Sequence, residues 1–301
     1  MLMNFGGSYD AYINNFQGTF LAEWMLDHPS VPYIAGVMYL ILVLYVPKSI
    51  MASQPPLNLR AANIVWNLFL TLFSMCGAYY TVPYLVKAFM NPEIVMAASG
   101  IKLDANTSPI ITHSGFYTTT CALADSFYFN GDVGFWVALF ALSKIPEMID
   151  TAFLVFQKKP VIFLHWYHHL TVMLFCWFAY VQKISSGLWF ASMNYSVHSI
   201  MYLYYFVCAC GHRRLVRPFA PIITFVQIFQ MVVGTIVVCY TYTVKHVLGR
   251  SCTVTDFSLH TGLVMYVSYL LLFSQLFYRS YLSPRDKASI PHVAAEIKKK
   301  E

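Results

Sequence analysis

Seven stretches of predominantly apolar residues, each near the roughly 20 that a helix needs to cross a bilayer, divide this chain and leave room for little else. They run approximately from Pro32 to Met51, Ala61 to Val82, Val133 to Phe156, Val161 to Tyr180, Leu188 to Cys210, Phe219 to Val244 and His260 to Tyr281. The chain is sparing with charge: 11% of its 301 residues are Asp, Glu, Lys or Arg, against roughly 25% in a soluble domain. The expectation is an all-α polytopic membrane protein. Its seven transmembrane helices would occupy residues 32–281, after a segment at 1–31 and before a polar tail at 282–301. No short basic leader precedes the first run, so that run reads as a permanent span. No internal repeat or soluble domain is visible, and no nucleic-acid partner is expected.

Basic residues are retained on the cytosolic side of a membrane. Most of the 19 Lys and Arg share one side if the N-terminus is lumenal, among them Lys48, Arg60, Lys158, Lys159, Arg213, Arg214, Arg217, Arg279 and the tail lysines. The same topology puts Asn106-Thr107-Ser108 in the lumen and makes Asn106 a candidate for N-glycosylation. Of seven cysteines it leaves Cys121 and Cys252 in lumenal segments, where oxidation is permitted. These two are expected to form a disulfide, the alternative being two unpaired loop thiols. The tail ends Lys298-Lys299-Lys300-Glu301. That pattern reads either as a dilysine signal returning proteins to the endoplasmic reticulum or as a solvated basic tail near anionic headgroups.

Charged groups at bilayer depth cost about 2.5 to 3.5 kcal/mol each on insertion scales, so several in one bundle mark a functional interior. In the third run, Lys144, Glu147 and Asp150 recur every three residues, as one stripe of an expected helix, with Thr151 beside them and Pro146 able to kink the turn. The fourth carries His165, His168 and His169, spaced to share a face. The fifth holds Asn194 and His198 one turn apart, continued by Tyr202 and Tyr205, and the sixth holds Thr224, Gln227 and Gln230. Counted inward at 1.5 Å per residue, His165 to His169 lie roughly 6 to 12 Å deep, Asp150 roughly 9 Å, Gln227 roughly 12 Å and His198 roughly 18 Å. One polar chamber in the cytosolic half satisfies all four helices, whereas lipid-facing placement leaves each group unpaired.

Such residues also stitch membrane helices together, and for Gln227, Gln230 or Asn194 alone that reading stands beside the functional one. Four histidines with two carboxylates and a lysine point instead to chemistry. Metal binding is one route, because His-x-x-His-His resembles one box of the membrane di-iron desaturases. Those enzymes need several boxes, and apart from His198 the other histidines here lie in loops, at span ends or in the tail. A single zinc on His165, His168 or His169 stays open. Acyl transfer fits better, since a neutral imidazole serves as nucleophile or general base and Asp150 or Glu147 can orient it. Cys176 ranks below the histidines, because it has no polar partner within sequence reach and buried apolar thiols are inert.

In order and spacing, Lys144 through Thr151, the box His165-Trp166-Tyr167-His168-His169, the run from Asn194 through His198 and Tyr202 to Tyr205, and the trio Thr224, Gln227 and Gln230 together resemble the very-long-chain fatty acid elongase family. These are condensing enzymes of the endoplasmic reticulum that join an acyl-CoA to malonyl-CoA. The resemblance extends from the first span to the dilysine tail at Lys298 and Lys299. It implies six helices enclosing a long acyl tunnel, closed toward the lumen and open to the cytosol. It also implies a condensation without metal or other cofactor, giving a 3-oxoacyl-CoA, carbon dioxide and CoA. By the family pattern, His168 takes the acyl group as an acyl-imidazole, with His198 opposite and Asp150 and Glu147 tuning the pair. Asn194, His165 and Gln227 would then be donors to the developing oxyanion.

Lys158, Lys159, Arg213, Arg214 and Arg217 are candidates to clamp the CoA phosphates at the cytosolic mouth, or simply signal topology. The implied partners are membrane lipid, long-chain acyl-CoA, malonyl-CoA and the ketoreductase, dehydratase and enoyl reductase of an elongation cycle, and a homo-oligomer is compatible with them. The box with Trp166 resembles the subgroup that elongates saturated and monounsaturated long chains. A seven-helix receptor or transporter would share the topology without needing three histidines on one helix.

Overall fold

The computed structural model describes residues 15–93, 95, 114–123 and 125–283. Among them the ordered structure is helical, with one isolated bridge between Gln17 and Asn130 and no strand. Helix α1 spans Gly18–Asp27, α2 Ser30–Leu40, α3 Arg60–Met90, α4 Gly115–Cys121, α5 Asp125–Tyr128, α6 Gly131–Ser143, α7 Ile149–Phe156, α8 Phe163–Val181, α9 Gly187–Ala209, α10 Arg213–Val216, α11 Ala220–Tyr242 and α12 Asp256–Phe277. Wider π-type turns extend α2 to Tyr45, α11 to Val247 and α12 to Leu282. Asn106, Lys298 and Lys299 lie outside the described residues.

Every apolar run is largely helical, but among the described residues three helices are long and apolar enough to cross a membrane: Arg60–Met90, Arg213–Val247 and Asp256–Leu282. The pair Gly18–Asp27 and Ser30–Tyr45, bent by 68°, makes a fourth if it is one span. The other runs carry the charged residues and histidines of the polar set. α6 and α7 are separate short helices, while α8 and α9 hold the histidines and Asn194, which lower their hydropathy.

Three local departures from the sequence reading have physical causes. Residues 18–27, expected to precede the membrane domain, form a helix packed against α8 and α6, where Met25 is buried and its carbonyl accepts from the Trp177 indole at 3.3 Å. α3 runs through Pro83 to Met90 instead of stopping at Val82. Its hydroxyls are satisfied within the helix, Thr71 donating to the Asn67 carbonyl and Thr81 to that of Gly77, both at 2.7 Å; in apolar surroundings the carbonyl one turn back is always within reach. The third run breaks in the middle. Pro146 has no N–H for the ladder, so a 3-10 turn at Pro146–Met148 separates α6 from α7, and the expected single stripe of Lys144, Glu147 and Asp150 is divided.

Packed neighbours lead from α3 to α9, α11, α12, α8, α6 and back to α3, a closed ring of helices with α2 lying outside against α8. At the α3–α9–α6 junction, the Tyr195 ring covers Gly77 and its hydroxyl donates to the Trp136 carbonyl at 2.9 Å. The two ends of the ring differ. At one end a disulfide joins Cys121 to Cys252, the Cys121 carbonyl accepts from Thr253 N at 2.9 Å, and Ser185 donates to the Thr120 carbonyl at 2.5 Å. At the other, Lys158, Lys159, Arg213, Arg214 and Arg217 are exposed, and Arg60 donates to the last carbonyls of α9, Ala209 at 3.1 Å and Cys210 at 3.2 Å. A helix leaves its final carbonyls without intrahelical partners, and the Arg60 fork supplies them.

Candidate active site

The centre of the polar cluster is Lys144, the residue that closes α6. It is 2% exposed, and its ammonium donates to both oxygens of Glu147, at 2.7 and 3.0 Å, and to Asn194 Oδ1 at 3.0 Å. The 3-10 turn allows this, folding Glu147 back beneath Lys144, where Ser143 also donates to it at 2.7 Å. Because an ammonium only donates, Asn194 must present its oxygen to Lys144 and its NH2 to His198 Nε2, 3.0 Å away. His198 Nε2 is therefore an acceptor and its proton sits on Nδ1, which faces Glu147 Oε2 at 3.9 Å. One chain of contacts thus fixes the tautomer of a buried imidazole.

Asp150 belongs to a separate arrangement. Its two oxygens accept from the Trp66 indole at 2.6 Å and the Tyr202 hydroxyl at 2.7 Å. It buttresses the cluster from α7 and does not orient a histidine directly. Thr151 links Tyr39 of α2, at 2.8 Å, to His165 Nε2, at 2.9 Å.

The three histidines of α8 do not share one face. His165 and His169 lie with ring centroids 4.6 Å apart and planes tilted by 52° on the side of Tyr39, whereas His168 turns toward α12 and lies 4.8 Å from the Tyr269 ring. Consecutive helical residues point about 100° apart, which separates His168 from His169.

His168 thereby lines a narrow cavity inside the ring. Asn194 of α9 and Gln230 of α11 join His168 in its lining. From there it continues between apolar and aromatic side chains of α6, α8, α9, α11 and α12, including Phe140, Cys176, Phe190 and Tyr266, to Tyr128, Ile184 and Gly187 near the disulfide end. His198 stands one hydrogen bond behind the lining, through Asn194. A tube with a neutral nitrogen base and two amides at one end suits a long apolar substrate with a reactive carbonyl at its tip.

The remaining candidates divide. Of the α11 trio, Gln230 lines the cavity, Gln227 directs its NH2 to the Met201 sulfur at 3.2 Å, and Thr224 bonds to the Ala220 carbonyl and lies 3.4 Å from the Tyr281 hydroxyl. Tyr205 packs on Tyr202 and Tyr204 and is about half-exposed. Lys158 reaches the Ala52 carbonyl at 3.4 Å. Sequence reasoning passed over Trp66, Tyr39 and Tyr269. Their signal was an indole N–H or a phenol in an apolar run, a polar handle that must find a partner. No three His, Cys, Asp or Glu side chains among the described residues converge to hold a metal ion.

The family model of the ELO family, GNS1/SUR4, matches residues 24–289. The chain is 57% identical over 293 residues to fatty acid elongase 3 of Trypanosoma cruzi, covering 97% of this chain and 98% of that one. It is 47% identical to very long chain fatty acid elongase 4 of the same organism, covering 95% and 92% of the two chains. To very long chain fatty acid elongase 6 of Drosophila melanogaster it is 35% identical, covering 91% and 80%.

Proposed function

This chain belongs to the ELO family, GNS1/SUR4, and from that premise we propose that it is the condensing enzyme of a fatty acid elongation cycle, a 3-oxoacyl-CoA synthase. The observation that carries the reading is His168 at the polar end of an otherwise apolar tube. The acyl chain fills the tube, with each buried methylene contributing about 0.8 kcal/mol, and its thioester carbon meets the imidazole. The His168 nitrogen attacks that carbon, CoA leaves as the thiol, and an acyl-imidazole remains. Malonyl-CoA then loses carbon dioxide, and the resulting enolate carbon attacks the acyl carbon. The carbon–nitrogen bond breaks, the departing imidazole nitrogen takes up a proton from solvent in place of the one that left with the CoA thiol, and 3-oxoacyl-CoA departs. Gln230 and Asn194, which share the lining with His168, are the amides that would donate to the developing oxyanion. His198, held as the Nδ1–H tautomer, and Glu147 set the charge behind them.

The polar setting fits a membrane protein with seven spans, six of them forming a barrel around the tube. The disulfide end faces the lumen of the endoplasmic reticulum and the basic end the cytosol, so that the N-terminus is lumenal. Lys158, Lys159, Arg213, Arg214 and Arg217 then stand where the CoA phosphates arrive. The product requires a ketoreductase, a dehydratase and an enoyl reductase to complete the cycle.

The test is to incubate purified protein with malonyl-CoA and acyl-CoAs of graded length. We expect 3-oxoacyl-CoA from wild type and none from His168→Ala at equal protein level. With acyl-CoA alone, we expect the peptide containing His168 to gain the mass of the acyl group. Near-wild-type turnover by His168→Ala would refute the nucleophile, and absence of 3-oxoacyl-CoA from wild type would refute the activity.

A further inference from the structure

A second cavity opens on the outside of the ring, in a groove between α8 and α12 with Tyr33 at its margin. Tyr167, Thr171, Leu174 and Phe178 of α8 face Phe257 and Val264 of α12 across it. Phe175 and Met265 line both this groove and the internal tube. At that level a single layer of side chains separates the membrane face from the tube.

The layer consists of side chains and not backbone. Phe175 packs over Gly262, where a Cβ would come within 3.3 Å of its ring, so the bare α12 backbone provides the space the ring occupies. Met265 is unbranched and adapts readily to a changed shape. Toward the basic end, the α8–α12 seam is held by hydroxyl contacts. Tyr269 and Thr171 are 2.5 Å apart, Tyr269 donates to the His168 carbonyl at 3.2 Å, and Tyr167 and Ser268 are 3.0 Å apart.

We propose that this groove is an acyl-chain site on the membrane face, and that the α8–α12 seam, gated by Phe175 and Met265, passes the chain sideways between bilayer and tube. The proposal rests on the elongase reading. A long chain drawn lengthwise through the polar mouth exposes its methylenes to water, and that cost grows with every carbon. Sideways passage keeps each methylene in apolar surroundings, while the charged CoA stays at the basic end. The groove suits this occupant because it is apolar, faces lipid, with Val264 67% exposed, and shares its inner wall with the tube.

The Phe178 and Phe257 rings meet across the groove at 6.1 Å, so Phe178→Cys with Phe257→Cys places two thiols within reach of a short, reducible bifunctional reagent. In bilayer discs, we expect the bridged protein to lose at least about tenfold in kcat/KM for palmitoyl-CoA while octanoyl-CoA changes by less than about twofold. Reduction should restore the loss, and each single variant should show the same kcat/KM before and after treatment with the reagent, whatever its own starting value. Unchanged palmitoyl-CoA turnover in protein shown by mass to be bridged would overturn the gate, as would equal loss for both substrates. If untreated protein forms no 3-oxoacyl-CoA from either acyl-CoA, the elongase reading itself has failed.

Discussion

An ammonium that is 2% exposed within a helical bundle persists only if its partners are complete, and Lys144 has three of them: two carboxylate oxygens and an amide oxygen. Removing one member of a buried pair leaves the other charge uncompensated, at about 3 to 5 kcal/mol. We expect Lys144→Met to lower the melting temperature of the purified protein sharply, and Lys144→Met with Glu147→Gln to recover more than half of the loss. A double variant that melts no higher than the single would show that the pair is not what holds this region. The sequence exposed Lys144, Glu147, Asn194 and His198 because charged or amide groups in apolar runs are costly enough to notice. It did not expose Trp66 or Tyr39, because an aromatic in an apolar run looks the same whether it faces lipid or reaches a polar partner such as Asp150 or Thr151. Nor did spacing reveal that Asp150 pairs with Trp66 and Tyr202 while Glu147 faces His198; that division depends on the turn at Pro146.

At the scale of elements, periodicity found the helices but assumed they were straight. Spacing shows that Pro146 can kink its turn, but not that the break brings Glu147 beneath Lys144. Spacing likewise predicts one face for the box on α8, whereas its middle histidine alone turns to the tube. Which helix ends close the tube is a tertiary matter that no local pattern encodes. The structure puts Tyr128, Ile184 and Gly187 there, with Tyr128 donating to the Ile184 carbonyl at 2.6 Å. Gly187 begins α9, and a Cβ added to it meets the Tyr128 and Ile184 side chains at 3.7 and 3.8 Å, ordinary contact. A Cβ is therefore admitted there, and since Gly187 lines the tube, a longer side chain would extend into it. We expect Gly187→Leu to shift the acyl-CoA preference to shorter chains, losing at least about tenfold on the longest substrate used by wild type and little on the shortest. Product profiles across graded acyl-CoAs measure this, and an unshifted profile in a folded variant would place the end of the chain elsewhere.

For the whole molecule, the ring must close on itself, and the disulfide end shows how. Cys121 and Cys252 lie 131 residues apart in sequence, so their bond ties the segment before α6 to the segment between α11 and α12 across the bulk of the ring. Around it, Tyr117 donates to the Ser251 carbonyl at 2.7 Å and Ser185 N to the Thr253 carbonyl at 3.2 Å, which draws the α8–α9 turn into the same knot. A cross-link stabilises chiefly by restricting the unfolded chain, typically by about 2 to 4 kcal/mol and more for longer loops. In a bilayer or micelle the spans stay partly inserted when the packing is lost, so the restriction removes fewer states and the lower part of that range applies. The knot is also remote from the basic end, so its loss should leave the KM for malonyl-CoA unchanged. We therefore expect Cys121→Ser with Cys252→Ser, and wild type kept under reductant, to melt at the same lowered temperature, with malonyl-CoA kinetics at low temperature like those of the oxidised protein. Equal melting of reduced and oxidised protein would mean that the hydrogen bonds around the two cysteines close the ring without the covalent bond.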